Sequence, residues 1–153
     1  MGEIKAKSYR HSASFGKRME HYLIGKMLKE GLDVFIPMID DDAIDAVVKR
    51  PDGKFVEVQI KARSNEVKES YSAFFSPIKH EYRANYWFVF YSERMDKMWI
   101  MSSSEFCDES KVMSDGRRSI KFNRVANKEP KPLQKFENYI ELNFDRIKNE
   151  DTK

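Results

Sequence analysis

Apolar residues recur every three or four positions from Phe15 to Glu30. Phe15, Met19, Tyr22, Leu23 and Met27 share one side of a helical projection, which predicts a helix with Ser14 as its cap. Gly31 stands where helices commonly end in the left-handed conformation. The run "DVFIPMI" (33–39) predicts a first strand. Pro37 cannot donate to a ladder, so that strand belongs at a sheet edge or is distorted. "AIDAVVKR" (43–50) and "KFVEVQIKAR" (54–63) alternate in polarity and flank "PDG", which predicts a hairpin. "SAFFSPIKHEYRA" is ambiguous and is assigned a short helix after Pro77. "NYWFVFYS" (85–92) is nearly all apolar, the pattern of a strand buried on both faces, with "KMWIMSS" (97–103) as its partner. Ser103 or Ser104 is expected to cap a short helix containing "EFCDES", and "RRSIKFN" (117–123) reads as a last strand. Leu133, Phe136, Ile140, Phe144 and Ile147 form one apolar stripe, which predicts a closing helix over 133–148.

This order predicts a single α/β domain over 1–153, with a mixed central sheet flanked by helices. Residues 1–13 are polar and basic and are expected to be a loose arm. The chemistry is expected in 14–63, with the remaining strands and the C-terminal helix in 64–153.

Charge narrows the choice of partners. There are 28 Lys and Arg against 25 Asp and Glu, a net charge of +3, so attraction to nucleic acid must come from a local patch. The single Cys107 excludes an internal disulfide and suits a reducing compartment. His11, His21 and His80 have no zinc-ligand spacing with it. No apolar run is long enough to cross a bilayer, and the first residues hold no signal-peptide core, so a cytoplasmic protein without membrane partners is expected.

The hairpin is where polar residues acquire a pattern. With Pro51, Asp52 and Gly53 in the turn, Asp45 falls opposite Gln59, roughly 4.5–5.5 Å away. Glu57, Gln59 and Lys61 then share a sheet face with Asp45, while Val56, Val58 and Ile60 point to the other. Such a face is most often simply solvated. It is also an oxygen-rich donor set for a hard cation such as Mg²⁺ or Mn²⁺: Asp45 and Glu57 carboxylates, the Gln59 amide and the Ile60 carbonyl. Lys61 would orient a water or offset charge on a phosphate, and metal-bound water is acidified enough to attack.

The stretch "FGKRMEHYLIGKMLKEGLDVFIPMIDDDAIDAVVKRPDGKFVEVQIKAR" resembles the PD-(D/E)XK nuclease superfamily, which includes archaeal Holliday junction resolvases and small homing and restriction endonucleases. The resemblance spans roughly residues 14–63 and implies a restriction-endonuclease-like core. It rests on Glu20 in the helix, Asp45 in "AIDAVV" and Gln59-Ile60-Lys61 in "EVQIKAR". Ile44 replaces the proline usual before the Asp, and Gln59 replaces the usual Asp or Glu; Q-x-K versions occur in the superfamily. The alternative frame, Glu57-x-Gln59 with Gln in the Lys position, stays open. The resemblance implies a Mg²⁺-dependent endonuclease acting on nucleic acid, most simply DNA. Asp45, Glu57, Gln59 and the Ile60 carbonyl would hold metal, Lys61 would orient water, and Glu20 would face the site from the helix. A homodimer, pairing two sites to cut two strands, would fit. Gln59 equally suits a nuclease-like fold that has lost catalysis and only binds nucleic acid or a protein.

Lys17, Arg18, Arg63 and Lys68 flank the motif and are candidate phosphate contacts, as is the stretch Arg117, Arg118, Lys121 and Arg124. Each is individually more often plain surface. Asp40, Asp41 and Asp42 lack the spacing and glycine of a calcium loop and read as a turn. Tyr82, Tyr86, Trp87 and Trp99 could stack on bases, though aromatics at strand spacing are usually core.

Overall fold

The computed structural model describes residues 2, 8–11, 14–39 and 41–150. Its first helix, α1 (Ser14–Lys29), buries Phe15, Leu23, Ile24 and Met27, and Gly31 follows at φ +83°. Ten strands follow in chain order: β1 (Asp33–Phe35), β2 (Ala46–Lys49), β3 (Phe55–Arg63), β4 (Phe74–Ile78), β5 (Tyr86–Ser92), β6 (Lys97–Ser102), β7 (Lys111–Val112), β8 (Arg118–Lys121), β9 (Asn123–Ala126) and β10 (Glu129–Pro132). Two short helices, α2 (Ser103–Glu109) and α3 (Asp145–Asn149), complete the set.

The central sheet runs β1-β2-β3-β5-β6, with β3 and β5 parallel and the other neighbours antiparallel. Its two faces bury separate cores. Val56, Val58, Ile60, Trp87 and Val89 pack under Leu23, Ile24 and Met27 of α1. Tyr86, Phe88, Phe90, Trp99 and Met101 pack on the opposite face against Phe75, Phe106, Ile120, Phe122 and Phe136. Burial on both faces explains why every residue of β5 is buried. This is the mixed α/β architecture that the sequence pattern predicts.

The differences have local causes. Residues 33–39 form only a three-residue edge strand, because the chain leaves the ladder before Pro37, and Met38 is fully exposed. The segment around Pro77 is strand β4, not a helix. It pairs with β8 at the edge of a small sheet ordered β4-β8-β7, and its register shifts between Phe75 and Ile78, so Pro77 costs no ladder bond. The cap of α2 is Ser102, one residue before the expected position. Its hydroxyl accepts from the Glu105 N–H, and the Glu105 carboxylate accepts from the Ser102 N–H in return. Strand β8 is not the last: β9 and β10 form a further two-stranded hairpin.

The closing segment is not one helix. A 3-10 turn (Gln134–Tyr139) puts Phe136 in the core on one sheet face, whereas Phe144 and Ile147 join the core on the other. Between them the chain crosses the free edge of β6, where Ile140 bridges Trp99 and the Glu141 N–H donates to the Met98 carbonyl at 3.3 Å. The apolar stripe is real, but it serves two layers and seals a sheet edge. Phe144 turns the corner at φ +61°. In the segment read as a loose arm, residues Tyr9–His11 form a 3-10 turn. Tyr9 stacks on Phe15 at 6.4 Å, and Arg10 Nε lies 2.8 Å from Glu93. Residues 1, 3–7, 12–13, 40 and 151–153, Asp40 among them, lie outside the described residues.

Candidate active site

The hairpin closes as the turn chemistry requires. Arg50 N–H donates to the Lys54 carbonyl at 2.8 Å, and Gly53 sits at φ +86°. Val47 pairs with Glu57 and Ala46 with Val58, the register that places Asp45 opposite Gln59. The Asp45 N–H donates to the Val58 carbonyl at 2.9 Å. Its carboxylate Oδ2 then accepts from the Ile60 N–H at 2.7 Å. The side chain of Asp45 thus takes the place that a backbone carbonyl of β2 would hold, and the ladder ends there. N–H and C=O of one strand residue point to the same edge, so the Ile60 carbonyl also points past the start of β2.

Glu57, Gln59 and Lys61 are half-buried on the face they share with Tyr86, Phe88 and Phe90, their partners across the parallel ladder. Glu57 Oε2 forms an ion pair at 2.8 Å with Arg83, whose guanidinium also donates to the Asp42 carbonyl at 2.8 Å and lies 4.7 Å over the Tyr86 ring. The Tyr86 hydroxyl reaches the Ala43 carbonyl at 2.5 Å and the Gln59 side-chain oxygen at 2.9 Å. A hydroxyl has one proton, and a backbone carbonyl can only accept, so the proton goes to Ala43. Tyr86 therefore offers a lone pair to Gln59. The two ends of an amide exchange by a half-turn of its last torsion, so Gln59 satisfies this contact by presenting its NH₂ to Tyr86 and its oxygen away from it. Arg83 and Tyr86 together hold the loop before Asp45, where Ala43 stands at φ +56°, a conformation that costs a β-carbon-bearing residue about 1 kcal/mol.

Neither Arg83 nor Tyr86 was singled out as part of the constellation by the sequence. Arg83 lies in the segment read as helical, and Tyr86 looks like one more aromatic of a core strand. A tyrosine in place of phenylalanine at a fully buried position was the available signal, since its hydroxyl must find a partner.

The other candidates fall elsewhere. Glu20 is on α1, which covers the face of β3 opposite Gln59 and Lys61, and pairs with Lys17 at 3.2 Å. The Arg18 guanidinium lies 5.5 Å over the Tyr9 ring. Arg63 donates to the Phe74 carbonyl at 2.5 Å and sits 5.8 Å over Phe75; burial lowers its pKa from the usual arginine value. Lys61 and Arg63 line one cleft of about 170 Å³ with Phe75, Ser76 and Pro77. Lys68 and Tyr82 are exposed, while Trp87 and Trp99 are core. Arg118 is held by the His80 and Cys107 carbonyls and the Ser110 hydroxyl. His80 bonds the buried Ser103 hydroxyl at 2.7 Å, and burial first, then Arg83 and Arg118, push its pKa down to about 4. No group of three or more His, Cys, Asp or Glu gathers to hold a metal among the described residues, and none of their helices is long and apolar enough to cross a membrane.

No protein-family model matches the chain, and no curated protein matches it. Among solved structures, the bacterial homing endonuclease I-Ssp6803I is similar at 20% identity with a TM-score of 0.56, over 85% of this chain and 88% of that one. At that identity the likeness is one of architecture: the chain shares the fold of that structure, a mixed α/β arrangement around a central mixed sheet.

Proposed function

We propose that the chain is a metal-dependent nuclease that hydrolyses phosphodiester bonds in DNA. The observation that carries this reading is the junction of Asp45 with β3. Its carboxylate is fastened at 2.7 Å to the Ile60 N–H, opposite Gln59 and one step from Lys61. The donor set fits a hard divalent ion: the Asp45 carboxylate, the Gln59 amide oxygen turned away from Tyr86, and the Ile60 carbonyl at the open edge, with waters completing an octahedron. Bound there, Mg²⁺ or Mn²⁺ would supply Lewis acidity toward a phosphate oxygen and a lowered pKa for water.

The chain's own residues do the positioning. Asp45 keeps its geometry because one oxygen is committed to the backbone. Lys61, half-buried on the same face, holds a water or a phosphate oxygen through its ammonium group. Arg63, fixed by the Phe74 carbonyl, lines the same cleft and favours an anionic group there. Glu57 acts by anchoring Arg83, which in turn fixes the Asp42 carbonyl ahead of Asp45. Glu20 would contribute from α1 only around the sheet edge that β2 leaves open.

The test is incubation of supercoiled, branched and single-stranded DNA with Mg²⁺ or Mn²⁺. Wild type is expected to cut at least one, and Asp45→Asn and Lys61→Ala to cut none; equal cutting by all three removes the assignment. A second reading, a nuclease fold that only binds, is favoured by one observation: Gln59 is neutral, and the nearby Glu57 carboxylate is ion-paired with Arg83 at 2.8 Å. Calorimetric titration with Mn²⁺ separates the two, since the binding-only reading expects no Asp45-dependent heat.

A further inference from the structure

The charge of the chain is concentrated in one hairpin. Between residues 121 and 135 stand five cations (Lys121, Arg124, Lys128, Lys131, Lys135) and one acid, Glu129, so this short stretch exceeds the +3 of the whole chain. It is built around β9 and β10, which form a two-stranded sheet of their own. The turn, Asn127 and Lys128, has both residues left-handed at φ +52° and +61°, the geometry that matches the twist of a tight ribbon.

The ribbon is firmly rooted. Asn123 is buried; its side chain accepts from the Ala73 N–H at 3.0 Å and donates to the Glu69 carbonyl at 3.1 Å. The Leu133 N–H closes the base on the Phe122 carbonyl at 2.7 Å. Beyond that root, Arg124, Lys128 and Lys131 are exposed. Arg124 and Lys131 are directly paired across the ladder and share one face. Like charges directly opposite one another oppose pairing unless an anion lies across them. Lys131 is partly offset by Glu129 at 3.3 Å. The far face carries Val125, Pro130 and Pro132.

The ribbon also stands at the right end of the molecule. Its root bonds to the loop that follows β3, and a cleft of about 400 Å³ between β10 and the β5–β6 turn adds Arg94 and Lys97. Arg94 bonds the Asn65 carbonyl, two residues past Arg63. The basic surface therefore lies at the end of the sheet where β3 delivers Lys61 and Arg63. A two-stranded ribbon has the width that the major groove of B-form DNA admits, whereas the major groove of duplex RNA is too deep and narrow for it.

We propose that the β9–β10 ribbon enters the major groove of duplex DNA, with Arg124 and Lys131 meeting it, and so sets where the Asp45 site acts. This rests on the nuclease reading only for its last clause. The test uses the full chain carrying Asp45→Asn, titrated against a fluorescent DNA duplex, the same duplex with glucosylated hydroxymethylcytosines filling the major groove, and the equivalent RNA duplex. Adding R124A/K131A is expected to weaken DNA binding by about tenfold or more, as loss of two charged contacts implies, with no fall in melting temperature. Glucosylation is expected to weaken the parent similarly and the double variant little. R124Q/K131Q checks that charge, not side-chain bulk, is responsible. Parental affinity in both double variants, an RNA duplex equally dependent on the pair, indifference to glucosylation, or no DNA binding by the parent would each overturn the ribbon. If the native chain never cuts DNA yet the pair controls binding, the nuclease reading falls and the ribbon stands.

Discussion

Asp45 has two jobs that substitution can separate. As an acceptor it satisfies the Ile60 N–H at 2.7 Å on a residue that is only 5% exposed; as an anion it is proposed to hold the metal. Asp45→Asn keeps an amide oxygen for the N–H and loses only the charge assistance, a cost of about 1 kcal/mol. Asp45→Ala leaves the N–H without that acceptor, which costs about 2–3 kcal/mol with the lost charge assistance included. For a chain of this length those losses correspond to melting temperatures lowered by about 2–4 °C and about 4–12 °C. Cleavage should fall in both, by on the order of a hundredfold or more, because neither retains an anionic ligand. Differential scanning fluorimetry without metal, and a plasmid-nicking assay with Mg²⁺, read the two effects independently. Equal melting temperatures for Asn and Ala would refute the surrogate-carbonyl role. Nicking by Asp45→Asn at the native rate would refute the metal role.

His80 is neutral when folded down to about pH 4, against 6.5 unfolded, so the unfolded chain binds more protons in between and stability falls as pH drops through that window. The half-buried ring reduces the full effect to about 2 kcal/mol, and His80→Gln should lose that much less than wild type between pH 6.5 and 4 in urea titrations; parallel curves would refute it. Glu141 runs the other way: burial raises it to about 6, and its Oε2 has no hydrogen-bond partner among the described residues. Its stabilising contribution is complete below about pH 4.5 and lost as pH rises through 6, so Glu141→Gln should gain about 1 kcal/mol at pH 7 and nothing at pH 4 by the same titration. Gln59→Glu should draw the Tyr86 proton from the Ala43 carbonyl to the new carboxylate, loosening the loop before Asp45 by about 1 kcal/mol while strengthening Mn²⁺ binding. Calorimetry showing unchanged Mn²⁺ affinity would argue against Gln59 as a ligand.

What the sequence made legible was whatever one strand or one turn decides alone. "PDG" sets a register, and the register alone puts Asp45 across from Gln59. Seven consecutive buried residues of β5 announce a strand covered on both sides. The closing segment misled because helical spacing of Phe136, Ile140, Phe144 and Ile147 cannot reveal that Phe136 and Phe144 belong to opposite layers. That partition depends on where β6 ends the sheet, a tertiary fact. Pro77 misled for a related reason: proline disfavours strand interiors, and only the edge position of β4 removes the penalty.

The same limit governs the site. Alternation placed Glu57 and Gln59 on one face but could not say what stands over them, and that cover decides their chemistry. Arg83 pairs with Glu57 at 2.8 Å, so the acid two residues before Gln59 has a cation of the protein beside it, which alternation alone does not reveal. The Tyr86 hydroxyl, 2.9 Å from the Gln59 amide and 2.5 Å from the Ala43 carbonyl, decides which end of that amide faces it. A carboxylate there would need no orienting partner, since its two oxygens are equivalent; an amide does. The buried Tyr86 hydroxyl is therefore the group that orients the Gln59 amide. If Gln59 binds metal, losing that hydroxyl should matter more in this chain than in one with Glu at the same place, because only the amide can present the wrong end.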